Sequence, residues 1–432
     1  MALTGRAGLV AALWIVVVLV VPGPGYAVLA GCLLLLAAIV TDLVFAGSVR
    51  PLTFTRSGPT SVRLGETATV ELIVENPGPR RVRGVLRDAW QPSAGLSPKS
   101  VPIDVPPGER RRLVFELRPT RRGDRSSEAV TVRAFGPLGL AARQGGHSVP
   151  WTVRVLPPFL SRKHLPSRLA RLRELEGNHP ALVRGQGTEF DSLREYVVGD
   201  DVRSIDWRAT ARRNDVVVRT WRPERDRRVL IVLDTGRTSA GRVGTGWPRL
   251  DWSMDAALLL AALAVKAGDQ VDFLAYDRAV RAWVSGASRT ELLSALVNVM
   301  APVEAELVES DAPGLAAAIL GRAKRRALVV LLTDLNSAAL EEGLMPVLPQ
   351  LSSRHLLLVA GVSDPLVAAM AAGRGTAEQV YDAAAAERSL AERRRITARL
   401  RGHGVEVVDA LPEDFAPALA DAYLALKAAG RL

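Results

Sequence analysis

The pattern of hydrophobic and polar positions changes twice along this chain, and each change predicts a different kind of element. Two apolar runs open it: Leu3 to Val21 carries Arg6 as its charge, and Ala27 to Ala46 carries Asp42 near its end. Each approaches the roughly 20 residues that a helix needs to cross hydrocarbon. Pro22-Gly23-Pro24-Gly25 between them predicts a tight turn, so residues 1–50 are expected to form a transmembrane helical hairpin. Arg6 precedes the first run, and Arg50, Arg56 and Arg63 follow the second. Basic flanks stay in the cytoplasm, which places both termini there and makes the protein multi-pass in the cytoplasmic (inner) membrane. A secretory signal cleaved after Ala27 is the rival reading, and the second run would then stop transfer.

From Thr53 to Leu156 the period becomes two. Ala68–Glu75, Val82–Leu86, Arg112–Leu117 and Ala129–Ala134 alternate apolar with polar residues and are separated by turn clusters such as Asn76-Pro77-Gly78 and Pro106-Pro107-Gly108. Residues 51–156 are expected to form an all-β, immunoglobulin-like sandwich, without the Cys and Trp marks of antibody domains. A connector over 157–228 comes next, rich in Arg, Leu and Glu from Ser161 to Gly177; its His164 and His179 stand by prolines and read as loop residues.

After Arg228 unbroken apolar runs alternate with helical stretches. Val229–Leu233, Asp272–Asp277, Ala279–Val284, Leu328–Leu332, His355–Val362 and Val405–Val408 read as strands, and Arg249–Gly268 as an Ala/Leu-rich helix. Strands this apolar belong to a parallel sheet covered on both faces, so 229–432 is expected to be a doubly wound α/β domain. Ligands of such sheets bind at the carboxyl ends of the strands, where Asp234 and Asp334 sit. Glu378–Arg401 mixes Ala, Glu and Arg as a solvated helix laced with ion pairs, or as a docking face.

Composition adds three limits. An apolar share of 48% in 432 residues is ample for two or three cored domains. The lone cysteine, Cys32, lies in an apolar run and supports no disulfide framework. The net charge of +11 is uneven: residues 51–228 hold 33 Lys+Arg against 20 Asp+Glu, net +13, and 229–432 hold 21 against 24, net −3. The basic part is the membrane-proximal part, which suits anionic headgroups better than nucleic acid, for which no motif is present.

Gly185 to Arg208, G-Q-G-T-E-F-D-S-L-R-E-Y-V-V-G-D-D-V-R-S-I-D-W-R, is the most distinctive segment. Locally, Thr188 can cap a helix carrying Phe190, Leu193 and Val197 on one side, ended by Gly199. A second helix can start at Asp200 and Asp201, with Val202, Ile205 and Ala209 as its stripe and Trp207 flanking it. Glu189, Arg194, Asp200, Asp201, Arg203 and Asp206 form either an internal ion-pair clamp, a partner-docking surface or a catalytic cluster. The run, with Arg122-Gly123 and Gly136-Pro137-Leu138-Gly139-Leu140 before it, resembles the signature of the domain of unknown function 58 family. The resemblance implies a von Willebrand factor A-like C-terminal domain, a role as adaptor to a MoxR-type AAA+ ATPase, and a signature of Gly187, Glu189, Phe190, Arg194, Tyr196, Gly199, Asp200, Asp201, Arg203, Asp206 and Trp207.

A von Willebrand A domain carries a metal-ion-dependent adhesion site built on D-x-S-x-S, a later aspartate and a loop threonine, which supply the hard oxygens that Mg²⁺ prefers. Here Asp234-Thr235-Gly236-Arg237-Thr238 puts glycine at the first serine and Thr238 at the second; Asp334 matches the later acid, and Ser310 and Asp311 are the nearest offers for the loop position. The site is degenerate, and Mg²⁺ is expected to bind weakly or not at all, with Arg237 the nearest cation to the two acids. There is no G-x-S-x-G elbow, phosphate loop, paired-His motif or plausible Cys nucleophile. The expected function is therefore a membrane-anchored, cytoplasm-facing interaction protein and not an enzyme. The alternatives are a hydrolase using the acidic cluster and a metal-dependent adhesion module.

Overall fold

A computed structural model describes residues 2–20, 24–177, 189–197, 202–213, 215–222 and 227–432. Two compact units divide the chain between Leu156 and Pro157.

The first unit opens with two apolar helices, α1 (Gly5–Val20) and α2 (Pro24–Phe45). Within α2, Gly25–Phe45 is long and apolar enough to cross a membrane, while α1 is apolar but shorter. They pack closely at Gly31, where a Cβ would lie 1.8 Å from the Trp14 indole nitrogen. That nitrogen donates to the Ala27 carbonyl at 2.9 Å.

The alternating region forms β1 (Thr53–Ser57), β2 (Ser61–Arg63), β3 (Ala68–Glu75), β4 (Val82–Trp90), β5 (Ser100–Val105), β6 (Arg110–Leu117), β7 (Gly123–Phe135) and β8 (Ala141–Leu156). One sheet runs β8-β7-β4-β5, with Ala2–Leu3 and β2 beside β8; the other runs β1-β3-β6, with Leu96–Ser97 at its edge. Their inner faces meet at Leu72, Val74, Leu86, Phe115, Val130 and Val132, all fully buried. Arg56 and Asp88 are paired inside this unit at 2.6 Å, and Asp88 also accepts from the Trp90 indole and the Ser127 hydroxyl, each at 2.8 Å. Burial pulls the Arg56 guanidinium below its ordinary range despite the attraction of Asp88.

The loop between β7 and β8 grips the end of α2. Asp42, fully buried, accepts from the backbone N–H groups of Leu138 at 2.7 Å, Ala141 at 2.9 Å and Leu140. Gly136 has room for no side chain, since a Cβ there would lie 2.4 Å from the Asp42 carboxylate. Arg143 donates to the Leu43 carbonyl at 2.8 Å and Arg80 to that of Val44, satisfying carbonyls that a helix end leaves open.

The second unit contains α3 (Leu165–Gly177), the short strands β9 (Glu189–Glu195) and β10 (Val217–Arg222), and α4 (Trp207–Arg213) between them. A larger sheet comes next: β11 (Arg228–Asp234), β12 (Gln270–Tyr276), β13 (Val280–Val284), β14 (Leu328–Leu332), β15 (Leu356–Val362) and β16 (Glu406–Ala410). Its order is β13-β12-β11-β14-β15-β16, and every pairing is parallel except that of the edge strand β13. The flanking helices are α5 (Arg249–Lys266), α6 (Leu292–Met300), α7 (Ala312–Arg322), α8 (Met345–Ser352), α9 (Pro365–Ala371), α10 (Ala377–Gly402) and α11 (Pro412–Ala428). Pairing β11 with a neighbour on each side buries Val229–Leu233 completely or nearly so, as an unbroken apolar strand requires. This is the α/β architecture expected, with the sheet reversing direction of growth at β11 and β14.

Candidate functional site

The reversal falls between β11 and β14, and sheets of this kind open a crevice at the carboxyl ends of such strands. Asp234 closes β11 and is buried; its Oδ1 accepts from the Gly236 N–H at 2.9 Å and the Ser310 hydroxyl at 2.5 Å. Its Oδ2 accepts from Thr333 at 2.6 Å and lies 3.5 Å from the Thr238 hydroxyl. The 306–310 loop is stitched alongside by Glu306 N–H to Thr235 O and Arg237 N–H to Val308 O, each at 2.8 Å. A Cβ at Gly236 would lie 2.2 Å from the Ser310 oxygen. Ser310 therefore occupies the space that a serine at 236 would need, and the hydroxyl is delivered from another loop.

Asp334 takes different partners. Its carboxylate lies 3.4 Å from Arg249 and 2.9 Å from Arg393, all three side chains being mostly buried. Arg393 also pairs with Asp409 at 2.8 Å, and Arg249 donates to the Thr238 carbonyl at 2.9 Å. Burial opposes the charge on Arg393, but Asp409 and Asp334 outweigh it and hold the guanidinium above its ordinary range. Arg237, expected to serve Asp234 or Asp334, pairs instead with Glu309 at 3.1 Å, because the helical turn it starts points its side chain outward. Asp311, offered as a loop ligand, instead caps α7 by accepting from Gly314 N–H.

Asp277 directly follows the neighbouring strand β12 and is fully buried, accepting from Thr235 at 3.0 Å and Arg281 at 2.7 Å. Burial pushes its carboxyl upward, but Arg281 and the backbone donors of Arg278 and Ala279 prevail and hold it below the usual range. The donor set around Asp234 is thus one carboxylate and three hydroxyls, with the second acid committed to guanidinium groups. Thr238, Ser310, Thr333 and Asp234 offer hard oxygens, but too little negative charge for tight Mg²⁺ capture. Among the described residues no group of three or more His, Cys, Asp or Glu side chains could hold a metal ion.

The signature block folds differently from the helical expectation. Residues 189–195 form a strand, β9, paired antiparallel with β10, so the cap-and-stripe reading of Phe190, Leu193 and Val197 is wrong. Val217-Val218-Arg219-Thr220-Trp221 is rich in β-branched and aromatic residues and supplies the partner strand. The next helix begins at Trp207, not Asp200: Asp206 accepts from the N–H groups of Arg208 and Ala209, both at 3.0 Å, and from Arg219 Nε at 2.8 Å. Those donors hold the Asp206 carboxyl below its ordinary range, the Ala209 N–H foremost. Ile205 leaves the helical stripe and bridges to Val218. Leu193 and Arg194 are half-buried, as is Tyr196, whose N–H donates to the Val216 carbonyl at 2.7 Å. Arg203 and Trp207 are exposed. Gly187, Thr188, Gly199, Asp200, Asp201 and His179 lie outside the described residues, as do the side chains of Glu189 and Phe190.

Of the residues that build the crevice, strand-end position singles out Asp234 and Asp334, and the adhesion-site pattern implied by the resemblance adds Thr238, with Ser310 as a loop candidate; neither reaches Arg249 or Arg393. Arg393 stands in an arginine run that reads as solvated. The signal that distinguishes it is spacing: with Ala386, Ile396 and Leu400 it shares the buried face of α10.

Among curated proteins, an uncharacterized protein of Mycobacterium tuberculosis is 26% identical over 228 residues, covering 49% of this chain and 70% of its own length. The uncharacterized protein YeaD of Bacillus subtilis is 23% identical over 183 residues, covering 40% and 44%. Among solved structures, the CARDB domain of the PF1109 protein from Pyrococcus furiosus is 21% identical, covers 26% of this chain and 94% of its own, and has a TM-score of 0.19. A β-glucosidase from Listeria innocua is 17% identical, covers 24% and 16%, and has a TM-score of 0.15; likenesses this slight carry no argument. Residues 192–403, from within β9 to just past α10, match the family described as Protein of unknown function DUF58, which is the family that the signature block resembles.

Proposed function

We propose that this protein is a membrane-anchored adaptor, whose α/β unit has a von Willebrand A-like fold and presents the carboxyl edge of its sheet to a MoxR-type AAA+ ATPase. The observation that carries the reading is the state of the crevice. Its acids are locked into fixed hydroxyl and guanidinium contacts, Asp234 with Ser310 and Thr333, Asp334 with Arg249 and Arg393. A rigid polar floor of this kind suits recognition; a general acid or base needs a carboxyl poised to exchange its proton. The strand order and the antiparallel edge strand support the fold assignment. Elements leaving the same edge expose large apolar side chains: Leu307, Leu366, Met370, Val380, Tyr381 and Leu411. Exposed apolar surface of this kind marks interaction sites. In this reading α1 and α2 cross the cytoplasmic (inner) membrane as a hairpin, both termini are cytoplasmic, and the chain has no hydrolase activity of its own.

The test is capture of the intact protein from membranes with the associated ATPase identified, followed by affinity measurement on variants. Trp207→Ala and Tyr381→Ala, if folded, should each weaken binding by about 1 kcal/mol or more, since binding energy concentrates in a few large aromatic contacts. Absence of the ATPase from the captured material, or unchanged affinity in both variants, would overturn the reading.

A further inference from the structure

The opposite edge of the large sheet has a charge pattern that the crevice does not explain. The second unit from Val229 onward is slightly acidic, net −3 from 21 Lys+Arg against 24 Asp+Glu. Five of its acids stand at the carboxyl edge, Asp234, Asp277, Asp334 and Asp409 by strand ends and Asp364 capping α9. At the amino edge cations lead into three adjacent strands and one stands at the start of a fourth. Arg227 and Arg228 lead β11, Lys324-Arg325-Arg326 precede β14, Arg354 precedes β15, and Arg431 pairs with Glu406 at the start of β16. With strands about 4.8 Å apart, these entries span roughly 15 Å of one edge.

Few of these charges are neutralised. Arg228 is near Asp272, at 3.4 Å, and Arg431 near Glu406. Among the described residues, Arg227, Lys324, Arg325, Arg326 and Arg354 make no ion pair, and Lys324, Arg325, Arg326 and Arg354 are exposed. Arg227, Arg228, Arg326 and Arg431 line a cavity of about 30 Å³ with Val229, Ala327, Leu328, Leu356 and Leu432. That is space for roughly two water-sized groups, such as the non-bridging oxygens of a phosphodiester. Two of these arginines, Arg227 and Arg326, carry no ion pair, and guanidinium groups beside an oxygen-sized space suit phosphate, whose geometry their forks match.

We propose that the amino edge of the large sheet docks on the anionic phospholipid surface of the membrane that holds α2, turning the acidic crevice edge away from the bilayer. The proposal rests on the reading of α2 as a membrane anchor, because an anchor on the same chain keeps this edge at high effective concentration near headgroups. The cations are spread along the edge and not gathered in one deep pocket for a small ligand. Among the described residues Lys324-Arg325-Arg326 is flanked by Ala323 and Ala327 and not by the aromatic side chains on which single-stranded nucleic acid stacks. Attraction of each Lys or Arg to an anionic leaflet is worth about fivefold in the docking equilibrium, and fades beyond a Debye length of about 8 Å at physiological salt.

The experiment uses the full chain in lipid nanodiscs containing a nickel-chelating lipid, in a Cys32→Ser background with a spin label introduced by Ser353→Cys at the amino edge or by Ala372→Cys beside the crevice. Co-purification with the discs reads the anchor; failure there would sink the anchor reading and not the edge. In discs containing phosphatidylglycerol, relaxation by the headgroup nickel should be strong at 353 and weak at 372. It should be lost at 353 in pure phosphatidylcholine discs or at high salt. Lys324→Gln/Arg325→Gln/Arg326→Gln, three exposed and unpaired positions, should weaken docking by roughly 100-fold while the chain stays in the disc. Equal relaxation at both labels, or no response to the triple substitution, would overturn the proposal. Binding of a duplex oligonucleotide that the triple substitution abolishes, with no effect of phosphatidylglycerol, would assign the edge to nucleic acid and overturn it equally.

Discussion

Asp255 offers the sharpest test of the energetics. It lies on the inner face of α5, nearly inaccessible to solvent, and its carboxylate accepts from the Ser161 N–H at 3.1 Å, while the Ser161 hydroxyl donates to the Asp255 carbonyl at 3.2 Å. Burial pushes its carboxyl from 3.8 up to about 6, and the contacts with Ser161 and Leu160 only partly offset this. The folded state therefore takes up this proton before the unfolded chain does. The cost of the buried charge is absent well below pH 3.8, builds between about 3.8 and 6, and is complete above. A difference of about 2 units at 1.36 kcal/mol each gives roughly 3 kcal/mol. Asp255→Asn removes the charge and keeps an oxygen facing Ser161, but orphans an amide at about 1 kcal/mol, leaving a net gain of roughly 2 kcal/mol at neutral pH. Thermal unfolding of the intact chain in detergent should show the transition of the second unit rising by about 4 to 8 °C in the variant at pH 8, with no gain near pH 4. A parent and a variant with the same pH dependence would refute the argument.

Three other outcomes are expected from the contacts described. Asp42→Ala strands three N–H groups, two of them buried, and should cost the first unit about 3 kcal/mol, read as a lower denaturant midpoint, with Asp42→Asn intermediate. Arg56→Met leaves Asp88 charged and buried and should cost about 3 to 5 kcal/mol, of which the double variant Arg56→Met/Asp88→Asn should recover a part in a denaturant-based cycle. Millimolar Mg²⁺ should leave the melting temperature of the second unit unchanged; a rise of several degrees that vanishes with chelator or in Asp234→Ala would show linkage to a bound ion.

Much of the architecture is legible in sequence because burial writes it into local pattern. Ala68–Glu75 alternates apart from Ile73 and is a strand over those same residues. Val229–Leu233 is apolar throughout and lies between two parallel partners. The signature block misleads because its sequence satisfies helix-capping rules and strand pairing about equally. Val217–Arg222 decides between them, and local rules applied to the block do not consult that segment. The crevice is half legible. Strand-end acids announce themselves, whereas the cations that hold them come from the start of α5 and the middle of α10, and Arg393 is 59 residues from Asp334. Asp42 reads as a lone charge at the end of an apolar run because the N–H groups it binds lie 96 to 99 residues away.

The grip of the Gly136–Ala141 loop on Asp42 has a mechanical consequence. A span joined to a soluble domain by a flexible linker behaves as a tether, which passes tension but neither twist nor tilt. Here the last turn of α2 is clamped by its carboxylate and by two of its carbonyls, so the joint has no slack. With α2 seated in a bilayer, a tilt of the helix must swing the sandwich as a lever, and a load on the sandwich must strain the helix in turn. In that setting helix tilt and force on the sandwich would be coupled through Asp42 and the carbonyls of Leu43 and Val44.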